Sequence, residues 1–507
     1  MSNVTDKPKR RLGFVAPPPP TETPLEVATR EARALTPESA RSRFALFPDD
    51  RLLKSTVSLC AECRAYVPCV VFSRGARVLG KKSCGAHGLT EALFESDEHF
   101  YFLSNKDRSG VRFADDRVFD IPTFEALGQS AACCEDGACG SSTDQSTNKT
   151  CTILVEVTNA CNLACPVCYS DAGKTGDRKL PLDDFKRYVE RLIEQKGGLD
   201  SVQLTGGEAL LHPEVFEMIA FLHANPRVTK VYLPTNGLLL KESAIKKLGA
   251  FKSKLMVLLQ FDGSSDATDR ALRDATPQRA RKKAIELLGR AGIAMQLTMT
   301  VAMDINDAEI GAVVDEGLRH QSVKVIAIQP TTSSGRYDNE LDPMRRMTLS
   351  DVAKAVQRQA GVKMGLKDFV PIPCSHPNCG WITLFVRRFG VVRNIIRYVD
   401  LEKILGEVAY KTLLSTDELQ RAVSSRGGFW NRLAAKLGKR LVRSTDVFTI
   451  AIKPFMDRHT YDQDRIANCC HHLMDRKGTA TLLRIQRAAT PGRSLGHVAE
   501  ARRMKRS

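Results

Sequence analysis

Cysteines 161, 165 and 168, in "CNLACPVCY", follow the apolar run "TILVEV" with the spacing CxxxCxxC. A structural zinc ion asks for four protein ligands, usually supplied by paired CxxC knuckles. A cubane [4Fe–4S] cluster has four irons, so three thiolates leave one iron free for an exchangeable ligand. The three residues thus point either to a zinc site completed from elsewhere or to a cluster with one open position. Tyr169, directly after the third cysteine, is placed to cover the cluster or a ligand beside it.

The 507-residue chain holds 15 cysteines, most of them grouped. No early apolar segment has signal-peptide character, so the expected compartment is the cytoplasm, where grouped cysteines favour metal or iron–sulfur ligation over disulfides. Cys60, Cys63, Cys84 and His87 read as CxxC…CxxH. Two such knuckles build a tetrahedral S₃N site for structural zinc, the leading reading, or for mononuclear iron. Cys134, Cys139 and Cys151, then Cys374 and Cys379, then Cys469 and Cys470 form groups that are each incomplete. Brought together by the fold, they would hold one or two auxiliary [4Fe–4S] clusters.

These residues must be positioned by a scaffold, and from residue 151 a regular rhythm supplies one. "CTILVEVT", "SVQLTG", "KVYLPTNG", "KLMVLLQFDG", "IAMQLTMTV" and "VKVIAIQP" read as strands, and helical stretches alternate with them. Six βα units predict an α/β fold with a parallel sheet, open or partly closed, and an active site at the C-terminal strand ends. Gly206, Gly207 and Glu208 follow the second strand. The glycines allow close backbone approach, and Glu208 offers an acceptor for an ammonium group. Thr235 and Asn236 end the third strand, and Gln260 and Asp262 the fourth; Gln296 and Thr298 lie on the fifth, and Gln329 near the end of the sixth. Asp262 is equally suited to a ligand or to capping the following turn.

The CxxxCxxC loop with its adjoining aromatic residue and the "TGGEALLHP" stretch resemble the radical S-adenosylmethionine (SAM) enzymes across roughly 151–340. The resemblance implies a partial (β/α)6 barrel in which Cys161, Cys165 and Cys168 hold a [4Fe–4S] cluster. It implies that the open iron takes the amino and carboxylate groups of SAM, whose reductive cleavage gives a 5′-deoxyadenosyl radical. Tyr169, Gly206, Gly207, Glu208, Thr235, Asn236, Gln260, Asp262, Thr298 and Gln329 are then the expected SAM-site residues. The order of the CxxC…CxxH module, "IQPTTSSGR", "PIPCSHPNC" and "FMDRHTYDQDRIANCCHH" is similar to that in archaeal tetraether lipid synthases and dihydropterin-methylating relatives. This implies auxiliary-cluster ligands around Cys374, Cys379, Cys469 and Cys470. The chain departs from that pattern in its "CCEDGAC" lead-in and in continuing as "GTATLLRIQ" after its last cysteines.

The expected organisation is a flexible leader (1–50), a small metal-binding module (51–130), a cysteine-bearing linker (131–150), the barrel (151–345), an auxiliary-cluster module (346–480) and a basic tail (481–507). A net charge of +17 is concentrated in "WNRLAAKLGKRLVR" and "ARRMKRS". It suits a solubilising face or contact with an anionic membrane surface. No winged-helix, zinc-finger or RNA-binding signature accompanies it, which argues against nucleic acid. The leading expectation is hydrogen abstraction from an unactivated sp³ carbon, with C–C bond formation on a lipid or other apolar partner and a ferredoxin or flavodoxin as electron donor. The alternatives are methylation of a pterin-like heterocycle and a non-catalytic metal-cluster scaffold.

Overall fold

The computed structural model describes residues 22–120, 150–338, 342–372, 374–396, 446–475 and 478–481. Strands β1 (Arg51–Leu59), β2 (Tyr66–Arg74), β3 (Arg77–Cys84) and β4 (Gly88–Glu95) form an antiparallel meander in sequence order. Residues 24–43, expected to belong to a flexible leader, instead form two helices, Pro24–Arg33 and Pro37–Arg43. Each begins with proline behind a threonine cap, Thr23 paired reciprocally with Glu26 and Thr36 with Ser39. The first buries Ala28 and Ala32 against Val57 of β1. Proline and threonine, which suggested a loose leader by composition, here start helices.

Six parallel strands follow at the expected places: β5 (Thr152–Thr158), β6 (Leu199–Gly206), β7 (Val228–Thr235), β8 (Leu255–Gln260), β9 (Ala294–Val301) and β10 (Val323–Pro330). Helices joining them cover one face. Helix Leu182–Lys196 buries Phe185, Val189, Leu192 and Ile193, one stripe at helical spacing, and stops at Gly197, whose φ of +75° favours glycine. Leu255, Val257 and Leu259 of β8 and Met295, Leu297 and Met299 of β9 face the same core. Gln260, Gln296, Thr298 and Thr300 alternate with them onto the other face and are half-buried.

The residues after 345, expected to form a separate module around the barrel, enter the same sheet. Strands β11 (Trp381–Arg388), β12 (Val447–Ile452), β13 (His471–Asp475) and β14 (Gly478–Thr481) extend it at both ends. The order β11-β12-β10-β9-β8-β7-β6-β5-β13-β14 runs through a 12-stranded sheet. β12 pairs parallel with β10, and β13 pairs parallel with β5. Both open edges of the six-stranded core are thereby satisfied by backbone hydrogen bonds. Cys134, Cys139, the basic stretch 430–443 and residues 482–507 lie outside the described residues. Among the described residues no helix is long and apolar enough to cross a membrane.

Candidate active site and metal centres

The cysteine loop leaves the C-terminal end of β5 and is stapled at several points. Cys161 N–H donates to Gly173 O at 2.9 Å. Val167–Cys168 pairs antiparallel with Arg336–Tyr337, and the Arg336 guanidinium donates to Cys165 O and Ala172 O, each at 2.7 Å. Gly335 is required there, because a Cβ at this position would lie 2.3 Å from Tyr169 O. Part of the "IQPTTSSGR" segment thus braces the loop, a role that sequence spacing did not reveal.

Gly206 and Gly207 act on the same loop by proximity. A Cβ on Gly206 would lie 2.1 Å from Thr158 O, and one on Gly207 2.0 Å from Ala160 O. Gly207 N–H donates to Thr158 O and Glu208 N–H to Ala160 O. Glu208 is buried, and its carboxylate accepts from Asn236 N–H at 2.8 Å and Leu210 N–H at 3.3 Å. Burial pushes its carboxyl up to about 7, and no described ion pair includes it. Such a group suits an incoming nitrogen donor. Asn236 Nδ2 lies 2.7 Å from Asn162 Oδ1 and 3.9 Å from Cys161 Sγ, so the β7 end meets the cysteine loop. Thr235 Oγ1 accepts from Gly237 N–H. Tyr169 is 45% exposed, with its hydroxyl hydrogen-bonded to Thr205.

The β8 end is organised around a buried ion pair. Both Asp262 oxygens are engaged by Arg273, at 2.7 and 2.8 Å, and Thr300 N–H donates to Oδ1 at 2.9 Å. Gln260 Nε2 donates to Asp262 and to Thr298 O. Gln296 Nε2 donates to Thr298 Oγ1, and Gln329 is half-buried beside Thr300 in register. Arg273 continues to Val167 O and to the Cys165 thiol, linking this network to the cysteine loop. Arg281 pairs with Asp269 at 2.6 Å and donates to Asn236 O. Neither arginine was singled out from the sequence, where both look like charges of a surface helix.

Strand register places Glu156, Thr205, Gln260, Thr298 and Gln329 on one face near the C-terminal ends of β5, β6, β8, β9 and β10. Gln203 and Tyr232 lie level with one another deeper on that face. The upper wall is therefore polar.

The remaining cysteines form two tight groups. The ligand atoms of Cys60, Cys63, Cys84 and His87 lie within 4.8 Å of one another, as do those of Cys151, Cys374 and Cys470. In the first group Sγ of Cys60 and of Cys84 each lie 3.6 Å from His87 Nδ1, and Cys63 Sγ lies 3.9 Å from Cys84 Sγ. Tetrahedral bonds of about 2.3 Å to sulfur and about 2.1 Å to nitrogen require S···S of about 3.8 Å and S···N of about 3.6 Å. The donor set fits a single tetrahedral ion. In the second group Cys470 Sγ donates to Cys374 Sγ at 3.4 Å, and all three residues are buried. Cys379 accepts from Arg465 Nε at 3.5 Å and Cys469 donates to His471 O at 3.3 Å; both stand outside this triad. The sulfurs of Cys161, Cys165 and Cys168 are less closely grouped than either set.

Residues 155–317 match the model of the radical SAM superfamily. This chain carries the radical SAM core and its catalytic machinery. Its open-iron cluster is the [4Fe–4S] group that binds SAM, and the other cysteine sets provide for an auxiliary cluster and a further metal ion. Residues 52–96 match a second model, the HMPTM N-terminal zinc ribbon domain. The 7,8-dihydro-6-hydroxymethylpterin dimethyltransferase of Methanocaldococcus jannaschii is 26% identical over 83% of this chain and 90% of its own length. The GTP 3′,8-cyclase of Chlorobaculum tepidum is 29% identical over 35% of this chain and 53% of its own. Streptococcus suis SuiB bound to its precursor peptide SuiA matches with 15% identity, a TM-score of 0.36, and coverage of 42% and 46% of the two chains.

The lipid-like or apolar partner expected from the sequence is corrected by these findings. A relative that matches over most of the chain is named for a pterin. The polar upper wall of the sheet agrees with that correction.

Proposed function

We propose that the chain methylates a small, nitrogen-rich heterocycle of the pterin class. The carrying observation is the row of Glu156, Thr205, Gln260, Thr298 and Gln329 at the strand ends. Hydrogen-bonding side chains along this wall favour a ligand with donors and acceptors on its edge over a hydrocarbon. The likeness to a dihydropterin dimethyltransferase over most of both chains supports the same reading.

In this reading Cys161, Cys165 and Cys168 hold the [4Fe–4S] cluster. When bound, that cluster supplies the electron that cleaves SAM to the 5′-deoxyadenosyl radical. Glu208 accepts a hydrogen bond from the amino group of SAM, while Asn236 and Gln260 bind its polar edges. Tyr169 and Thr205 close the side of the mouth nearest the cysteine loop. Arg273 and Asp262 fix the height of the β8 and β9 ends. Cys60, Cys63, Cys84 and His87 hold structural zinc, and Cys151, Cys374 and Cys470 ligate an auxiliary cluster. The module boundaries at 51–130, 151–345 and 346–480 serve as the working division of the chain.

The test is anaerobic reconstitution of the full chain with 7,8-dihydro-6-hydroxymethylpterin, dithionite as electron source and excess SAM, one molecule giving 5′-deoxyadenosine and methionine and a second giving up its methyl group to leave S-adenosylhomocysteine. The expected result is 5′-deoxyadenosine together with pterin heavier by one or two methyl groups. Formation of 5′-deoxyadenosine with no change in the pterin, across oxidised and reduced forms, would remove the pterin reading and leave the enzyme class intact.

A further inference from the structure

A cation lies buried where the N-terminal meander meets the C-terminal cysteine segments. Lys54, on β1, has no exposed surface, and its Nζ is 2.9 Å from Asp107, 2.9 Å from Asp462 and 3.0 Å from Asp464. Burial alone would push its amine down; the three carboxylates outweigh this and hold it well above the usual lysine range.

Each carboxylate leads to a cysteine segment. Asp107 Oδ1 is 2.9 Å from Nε2 of His376, which lies between Cys374 and Cys379 and is fully buried. The other ring nitrogen, Nδ1, accepts from Asn378 N–H at 3.2 Å, and the Asn378 side chain bonds both backbone groups of Phe102. Asp462 and Asp464 begin helix Gln463–Ala467, immediately before Cys469 and Cys470. Asp464 Oδ1 accepts from Arg108 N–H at 2.9 Å and Ser109 N–H at 2.7 Å, while Thr56 of β1 donates to Asp462 at 2.8 Å. Cys151, the third member of the triad, is tied in by its N–H, which donates to Cys470 O at 2.8 Å. Lys106, next to Asp107, places its charge beside the three triad thiols.

We propose that Lys54 is a positioning residue: it clamps the segments carrying Cys374 and Cys470 in register with Cys151 for an auxiliary iron–sulfur cluster. The three triad cysteines come from segments more than 90 residues apart in sequence, Cys374 and Cys470 being 96 positions apart. A cluster shared by all three requires the fold to bring them together. One buried ammonium that satisfies both loops makes their spacing a single event. The metal ribbon then has a defined purpose, because β1, which carries Lys54, leads directly into Cys60. The inference rests on reading the triad as iron–sulfur ligands and is independent of the pterin substrate.

The experiment uses the full chain with Cys161, Cys165 and Cys168 replaced by alanine, so that residual iron reports the auxiliary site. Into this parent go Lys54→Met, Asp107→Asn and Asp464→Asn, with Arg346→Met as control. Arg346 makes a buried ion pair with Asp457, at 3.0 Å, and its described hydrogen bonds go to Asp457 and not to the triad. Iron and sulfide per chain, zinc per chain and the low-temperature EPR spectrum are measured after anaerobic reconstitution. The clamp predicts that Asp107→Asn and Asp464→Asn each lower residual iron at least threefold and broaden the EPR signal, with zinc unchanged. Lys54→Met should lower it further; if that variant does not fold, the two asparagine variants decide. Parent-like iron and spectra in all the clamp variants would overturn the proposal, as would an equal iron loss in Arg346→Met. A parent with no residual iron would overturn the cluster assignment and the clamp with it.

Discussion

Glu208 shows how one residue combines two demands. Its backbone N–H helps hold the cysteine loop through Ala160 O, while its buried carboxylate points at backbone donors from the β7 end. Burial places its carboxyl at about 7, so near neutrality much of it is protonated before ligand arrives. SAM offers an amino group, which prefers the ionised acceptor. Binding therefore pulls the proton off, and affinity should rise as pH increases through about 7. Glu208→Gln should weaken SAM binding about tenfold or more, in line with a charge-assisted hydrogen bond of about 1.5–3 kcal/mol. It should also flatten the pH dependence. Anaerobic calorimetry of SAM binding to the reconstituted chain between about pH 6 and 8 checks both. An unchanged pH profile in the variant would assign the titration to another group. Asp262 is the contrasting acid: it sits at a strand end in the sequence as Glu208 does, yet Arg273 occupies both its oxygens. The sequence left it evenly divided because a carboxylate at a strand end looks the same with or without a buried arginine 11 residues later.

At the scale of elements, the βα rhythm carried the barrel because each strand is one apolar run and each helix one apolar stripe. Both periods are local and survive without knowledge of the fold. Loop contacts are a different matter. "TGGE" suggests a ligand cradle, but Gly207 also faces Ala160 O at a distance that no side chain tolerates. Gly207→Ala must separate the β6 end from the cysteine loop, at a cost of about 1–3 kcal/mol in stability. We expect a lowered thermal midpoint together with loss of most iron from the open-iron cluster, read by iron count and EPR. Auxiliary iron and zinc should be retained. Loss of stability with full iron would mean that the loop shifts without losing its ligand geometry. The ribbon site was legible for the opposite reason: its four ligands lie within 28 residues, so hairpin geometry alone brings them to tetrahedral spacing.

At the scale of the molecule, what sequence concealed is what joins distant segments. Lys54 sits in "RLLKSTVSL", where it looks like an ordinary strand lysine, and its partner Asp464 is 410 residues away. No spacing rule links them. The same holds for β13, which was expected in a separate module but is a strand of the main sheet. His471, His472 and Leu473 pair in parallel with Thr152, Ile153 and Leu154 of β5, immediately after Cys151 and immediately following Cys470. Sheet pairing and metal ligation are thus one junction: the hydrogen bonds that close the β5 edge also set the distance between two cluster cysteines. Ending the chain after Asn468 should therefore have two linked effects. Auxiliary iron should disappear, because Cys470 is gone. The bare β5 edge should also promote concentration-dependent association, because its unpaired N–H and C=O groups template strand addition. Replacing Cys469 and Cys470 by serine in the full chain separates the two, removing the ligands while leaving β13 in place. That variant should lose the iron and keep the elution volume of the intact chain on size exclusion. The truncated chain should elute earlier as its concentration rises. Equal behaviour of the two on the column would mean that β13 contributes to the cluster alone, and that the β5 edge is protected by something other than strand pairing.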